Sequence, residues 1–326
     1  MLFGATIQYA KLNRYNTISG LAMLENYAVA KAIAVAIGAG IILLTIEIGF
    51  GAASYHIKPF LAGGVIAGGL IFGIGMAILG YCPGTLPVSL GEGSVDALIG
   101  IIGGLFAGLI YTIFLPSIQG LLGPDLGAMS LYSIIGNTFI FYPLSFVLGG
   151  GFIWAAFLIH KKEKVKDLKW LAAGIGLAVL DVIAFSSAVS DRPIGCSTTY
   201  PYVSDLSLGV TQNNYFAKIQ KPGNWELIFL SGAFLSSLII SIVKKEFTIT
   251  LIHSHWKKYR GNSPRKRIFW SFTGGFIVII GARLADGCTS GHILSGGMQL
   301  ALSSIVFALF VFIGLLVTGK YFYKKN

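Results

Sequence analysis

Apolar residues in this chain come in long runs broken by short polar segments. The runs cover approximately 28–50, 60–80, 97–115, 138–159, 169–187, 225–243, 268–286 and 293–318. Each is close to the roughly 20 residues a helix needs to cross a bilayer. The pattern predicts an all-α polytopic membrane protein with about eight or nine transmembrane helices, eight by this count. The connection 188–224 is too long and too patterned for a simple turn. It is expected to hold a re-entrant segment lining a cavity, because irregular backbone survives at membrane depth only there. Residues 14–27, ahead of the first run, are its expected counterpart.

Composition agrees with this pattern. The 326 residues are 55% hydrophobic and 11% charged, against about 25% charge in a soluble domain. Residues 1–27 contain Lys11, Asn13, Arg14, Asn16 and Glu25, with no apolar core before about Val29. The first run is therefore expected to stay as an anchor rather than be cleaved as a signal peptide. The formal charge of +11 does not point to nucleic acid, because the basic residues sit in short loops beside apolar runs. They concentrate at 160–169, at 244–267 and in the Lys324-Lys325 tail, with Lys11 and Arg14 ahead of the first run. An even number of crossings puts all of these, and both termini, on the cytoplasmic side. The expected location is a bacterial inner membrane, with lipid as the surrounding partner.

Two cysteine blocks align without a gap. Gly75 to Thr85 contains Gly80-Tyr81-Cys82-Pro83-Gly84-Thr85, and Gly281 to Gly291 contains Ala285-Asp286-Gly287-Cys288-Thr289-Ser290-Gly291. With the cysteines matched, Gly68-Gly69 falls on Gly274-Gly275 and Gly75 on Gly281. The blocks lie five crossings apart and so run in opposite directions, as in inverted-repeat transporters with a central site. The expected division is 1–120 for the first repeat, 121–187 for connecting helices and 188–326 for the second. Most glycines are assigned to close helix packing.

The chain has 3 cysteines, and the third, Cys196 in Gly195-Cys196-Ser197-Thr198, has the same small and hydroxylic neighbours. An odd count at wide spacing is not a disulfide framework. Thiols are soft and polarisable, which suits a sulfur or selenium species or a soft metal such as Cu(I). Against copper, none of the 5 methionines forms a ligand pair beside a cysteine. His253-Ser254-His255 lies in a basic loop and reads as juxtamembrane. Arg283 and Asp286, one turn apart before Cys288, are either functional or a structural ion pair. Arg192 and Arg283 are the candidate anion contacts, and His292 is a candidate interfacial hydrogen-bond donor. No nucleotide-binding or hydrolase motif is present, and no cofactor or metal site is expected.

At Gly80-Tyr81-Cys82-Pro83-Gly84-Thr85 and Ala285-Asp286-Gly287-Cys288-Thr289-Ser290-Gly291-His292 the chain resembles the YeeE/YedE sulfur-transport family. The likeness extends to Arg192-Pro193-Ile194-Gly195-Cys196 and the Arg14 to Tyr27 lead-in, and so covers nearly the whole chain. The resemblance implies inverted repeats, short re-entrant helices and an hourglass interior. It also implies thiosulfate uptake by transient S–H···S contacts at Cys82 and Cys288, and at Cys196. A fused TusA-like sulfur carrier is absent from this chain, so such a carrier would be a separate cytoplasmic partner. On this reading the thiols touch the terminal sulfur of the anion. Gly84, Thr85, Gly287, Thr289 and Ser290 offer hydroxyls or backbone N–H groups to its oxygens. The alternatives are a membrane sulfurtransferase or carrier partner that forms a cysteine persulfide, for which Arg283 near Cys288 is the hint, and a transporter of selenium compounds or a soft metal.

Overall fold

The computed structural model describes residues 1–163 and 167–324. Lys164, Lys166 and Lys325, which belong to the basic segments above, lie outside the described residues. Among the described residues fourteen α-helices follow one another: α1 (Leu2–Tyr9), α2 (Tyr15–Ala22), α3 (Ala28–Gly49), α4 (Ala62–Leu79), α5 (Thr85–Gly91), α6 (Val95–Ile118), α7 (Leu131–Ile135), α8 (Thr138–Lys162), α9 (Lys169–Phe185), α10 (Thr199–Leu208), α11 (Asn214–Val243), α12 (Ser254–Arg260), α13 (Pro264–Leu284) and α14 (Leu302–Phe322). Among the described residues, seven helices are long and apolar enough to cross a membrane: α3, α4, α6, α8, α11, α13 and α14. The protein is a polytopic membrane protein. The expected crossing at 169–187 is α9, a helix of 17 residues.

Two boundaries differ from the apolar runs. Helix α11 starts at Asn214, well ahead of 225, although Lys218, Lys221 and Pro222 lie in the added turns. Asn213 caps it, accepting from the Phe216 N–H at 2.7 Å, which satisfies one donor of the open first turn. Helix α14 begins at Leu302 rather than 293, and a separate π-helical turn occupies Thr289–Gly296. Hydropathy ran these two pieces together because the linker between them is also apolar.

Helices α4 and α13 cross at the centre of the molecule, flanked by α14 and α6, while α3 packs on α8 and α9. The crossing is close because glycines meet backbone. A methyl group at Gly75 would strike the backbone of Val278, and one at Gly281 the backbone of Phe72. A group at Gly68 would strike Ala285, and one at Gly274 would strike Leu79. In the cysteine alignment these are two pairs of equivalent contacts, as in an interface between like surfaces. Both helices also end alike. Gly80 (φ 77°) and Asp286 (φ 54°) stand two residues before Cys82 and Cys288, each in the left-handed region, which stops a helix and turns the chain. The turn carries each cysteine back toward the crossing.

The molecule has two unlike faces. On one, the phenol groups of Tyr15 and Tyr323 meet at 2.6 Å, Lys31 pairs with Glu163, and Arg260 donates to the Phe322 carbonyl at 3.1 Å. This face gathers α12, the end of α8 and the end of α14, and is called the basic face below. Within it Arg267 and Asp96, both fully buried, pair through Nε and Oδ2 at 3.1 Å. The Arg267 guanidinium lies 4.3 Å from the Tyr15 ring and 4.7 Å from the Trp256 ring. On the opposite face the loop after α3 pairs with the loop after α9 through Ala53 and Ser186, and His56 meets Gln299.

Candidate functional site

The turns after α4 and α13 bring Cys82 and Cys288 to one place, and the segment before α10 brings Cys196 to the same place. The Cys82 thiol lies within hydrogen-bonding reach of the Thr85 and Thr289 side chains, and the charge of a Cys288 thiolate would act on it. The Cys196 thiol reaches Ser290 and is in electrostatic range of both other thiols. Cys288 Sγ stands 3.0 Å from Ser290 Oγ. Cys196 and Cys288 are buried, whereas Cys82 is partly exposed. All three are free thiols.

The fit around them is tight. A methyl group at Gly84 would lie 3.0 Å from Cys196 Sγ, so a side chain there would press on that thiol. The Tyr200 phenol donates to the Pro83 carbonyl at 3.1 Å and fixes the Cys82 turn against α10. The Cys82 N–H donates to Thr85 Oγ1 at 2.9 Å, which starts α5.

A cavity of about 100 Å³ opens from this cluster toward α1 and α2. Its floor is Cys82, Gly84, Thr85, Thr289 and Ser290; its walls are apolar, among them Ile18, Leu21, Ile33, Leu177 and Phe312. Helix α2 forms the wall nearest the basic face and is tied down by α12. Asn16 donates to Ser254 Oγ at 2.8 Å, and Glu25 accepts from Tyr259 OH at 2.5 Å and pairs with His255 Nε2 at 2.9 Å.

Gly287, Arg192 and Arg283 do not line this cavity. They belong to the opposite face, where the surroundings are charged. Arg283 donates to Asp286 at 3.0 Å and to Thr198 Oγ1 at 2.9 Å. It is therefore an ion pair that also ties α13 to the Cys196 segment. Arg192 lies over the Trp225 ring at 4.6 Å. His292 is fully buried rather than interfacial. Its Nε2 donates to the Ala285 carbonyl at 2.7 Å, which leaves Nδ1 to accept from Ser304 at 3.0 Å. His253 and His255 are bound to carboxylates and hydroxyls on the basic face, and among the described residues no cluster of His, Cys, Asp and Glu could hold a metal ion.

Three polar residues near the thiols escaped the reading of the sequence. Asp181 on α9 is fully buried and accepts from the Ile194 N–H at 3.1 Å and from Ser295 at 2.7 Å. Glu226 on α11 is buried and accepts from the N–H groups of Thr198 at 2.6 Å and Thr199 at 3.1 Å. These two carboxylates hold the Cys196 segment from either side. Both stand inside apolar runs, where an acid is a functional candidate by default, and that is their signal in the sequence. The third is Lys58, whose amine donates to the Asp286 carbonyl. Its signal was a lysine beside an apolar run on the side where the charge rule expects few.

Known proteins resemble this chain in sequence. The thiosulfate transporter TsuA of Spirochaeta thermophila is 25% identical over 335 residues, covering 96% of this chain and 94% of that protein. The thiosulfate transporter TsuA of Escherichia coli is 23% identical over 315 residues, covering 89% of this chain and 83% of its own length. The family profile described as sulphur transport matches residues 15–317, and the chain belongs to that sulphur-transport family.

Proposed function

We propose that the protein imports thiosulfate across the inner membrane, passing the ion between the thiols of Cys82, Cys196 and Cys288. The observation that carries this reading is the meeting of all three free thiols, with the hydroxyls of Thr85, Thr289 and Ser290, at the one layer between a charged face and an apolar cavity. Thiosulfate has a soft terminal sulfur and hard oxygens. Thiols suit the first and hydroxyls the second. Each contact is weak, about 0.5–1.5 kcal/mol net, which lets the ion move on. Sulfate has the same charge and lacks the soft atom, so it is held at the oxygens alone.

The basic face is the cytoplasmic one on this reading, and α2, α5, α10 and the π-helical turn are re-entrant. The chain is two inverted halves, 1–120 and 188–326, joined by 121–187. The reciprocal glycine contacts of α4 and α13 and the matched left-handed residues support that division. A sulfurtransferase would need an activated thiolate. The residue that hinted at one, Arg283, is engaged by Asp286 and Thr198.

The test is uptake of isotope-labelled thiosulfate into proteoliposomes, with sulfate, sulfite, selenite and Cu(I) offered separately. Intact labelled thiosulfate inside the vesicles is the expected result. Equal uptake of sulfate would remove the role given to the thiols, and release of sulfite outside would mean sulfur transfer instead. A TusA-like carrier, if it is the acceptor, is expected to co-purify through the basic face.

A further inference from the structure

Lys58 stands in Tyr55-His56-Ile57-Lys58-Pro59, between the end of α3 and the start of α4, on the face away from the basic segments. It is partly buried, and its amine is held against the turn that carries Cys288. A methyl group at Gly287 would lie 2.5 Å from its Nζ, and one at Gly291 would lie 3.4 Å from Nζ and 3.9 Å from the Ile194 carbonyl. The amine therefore occupies the cleft between the Cys288 turn and the segment leading to Cys196. Glycine at 287 leaves it room, and at 291 a methyl group would be in ordinary contact with it.

The charge there is not balanced. Among the described residues no carboxylate lies in ion-pair range of Lys58; its recorded bond is to a carbonyl. Asp286 is taken by Arg283, and Glu226 by two backbone N–H groups. Lys58 nevertheless acts electrostatically on Glu226, Asp286 and His292, so these groups share one basin with Arg283 and Arg192. Two donors in the basin are unused. The Nε–H of Arg283, a residue 2% exposed, has no hydrogen-bond partner, and neither has the Nε–H of Arg192. A buried donor without a partner is costly. Three cations, two of them with idle donors, beside carboxylates already engaged, describe a site waiting for an anion.

We infer that Lys58 is the oxyanion-recognition residue at the mouth away from the basic face. It grips the oxygen end of a tetrahedral sulfur dianion and turns the remaining substituent toward Cys288 and Cys196. The inference rests on the transport reading and adds a selection step to it. Ammonium and guanidinium groups are hard, charge-assisted donors that favour oxyanions, while the thiols behind them favour sulfur. The mouth therefore reads charge and oxygens, and the thiol layer reads the soft atom. Sulfate should bind at the mouth and go no further.

The test is the Lys58→Met variant, which keeps the aliphatic stem and removes the charge, beside Lys58→Arg. Both are assayed in proteoliposomes for thiosulfate uptake, with unlabelled sulfate as competitor. In the wild type, sulfate competes without being carried. In Lys58→Met the KM for thiosulfate rises about 10- to 100-fold, the loss expected for one charge-assisted contact, with kcat within a few-fold and sulfate competition weakened in parallel. Lys58→Arg keeps most of the affinity. A wild-type KM in Lys58→Met, a fall in kcat at constant KM in both variants, or sulfate that never competes with the wild type would each overturn the inference. Failure of the wild type to take up thiosulfate would overturn the transport reading instead. Alkylation of Cys82 at the wild-type rate, with a single symmetrical peak on size exclusion, shows that the Lys58→Met protein is folded.

Discussion

The two mouths that meet at the thiol layer are built from opposite chemistry. The Lys58 side carries Lys58 and Arg192, partly exposed, with Arg283 buried behind them and paired with Asp286. On the basic-face side lies a cavity walled by Ile18, Leu21, Ile33, Leu177 and Phe312. The basic face has its own buried cation, Arg267, but it is closed within the pair with Asp96 and the rings of Tyr15 and Trp256. Under the proposed import, the difference suits a dianion moving from the Lys58 side to the basic face. Each charge moved against 100 mV costs about 2.3 kcal/mol, so capture needs fixed charge at the entrance. Release needs the absence of a second binding place, since conduction fails where the ion cannot leave.

The largest effect is expected at the layer where the two mouths join. Cys82→Ala and Cys288→Ala should express normally and lose uptake almost completely, with Cys196→Ala milder. A triple-alanine variant that still imports thiosulfate at the wild-type rate would remove the relay and leave two mouths with nothing between them. Next comes the charge closed away on the basic face. Asp96→Asn leaves Arg267 buried without its counter-ion, a change that costs about 3–5 kcal/mol. Thermal unfolding in detergent should show a large drop, and an unchanged midpoint would mean that Arg267 reaches water. On the Lys58 side, Gly287→Ala puts a methyl group against both the lysine amine and the buried His292 ring, and KM should rise about tenfold with the thermal midpoint reporting any cost at His292. Gly120→Ala, whose position is open, is the control, and equal effects of the two would show that the Lys58 cleft has no special role. Within the cavity floor, Thr85→Ala and Thr289→Ala each remove one neutral contact and should cost a few-fold in uptake.

The smallest effect concerns the strap that closes the apolar cavity. The Tyr259 hydroxyl holds the Glu25 carboxyl below its ordinary 4.5, against a burial effect in the other direction, with His255 and Lys258 assisting. A carboxyl lowered in the folded state stabilises it above the ordinary value and loses that effect as pH falls through the lowered one. The Glu25 contribution to the α2–α12 contact should therefore be constant from about pH 8 to about pH 5 and fade below that. Hydrogen exchange of the α12 backbone would follow it. A Glu25→Gln variant that matches the wild type at every pH would show that this carboxylate does not hold the strap.

Much of this plan was legible because it is written in local composition. The apolar runs mark the crossing helices, and the glycine-flanked cysteines mark the turns that bring Cys82 and Cys288 together. What was not legible depends on partners far away in the chain. The polar start of α11 reads as loop, because nothing nearby reveals that Phe216 will stack on Tyr202 of α10, and within the apolar run nothing reveals that Glu226 will be met by the N–H groups of Thr198 and Thr199. Asp96 and Arg267 stand 171 positions apart and each alone reads as a helix-end charge. Lys58 has no local mark of its cleft in the sequence; its place is set by Gly287, 229 positions further on.

The reciprocal seam between α4 and α13 has one further consequence. Gly75 against Val278 and Gly281 against Phe72 are the same contact read from either end, so the scaffold at the centre of the molecule does not distinguish up from down. A seam of that kind cannot act as a valve. Any rectification must come from the unlike mouths and from the supply and consumption of the ion on either side. Vesicles carrying the protein in a single known orientation should therefore leak preloaded thiosulfate when the outward gradient is made steep enough. Strict one-way flux under that gradient would mean that a valve exists elsewhere in the chain.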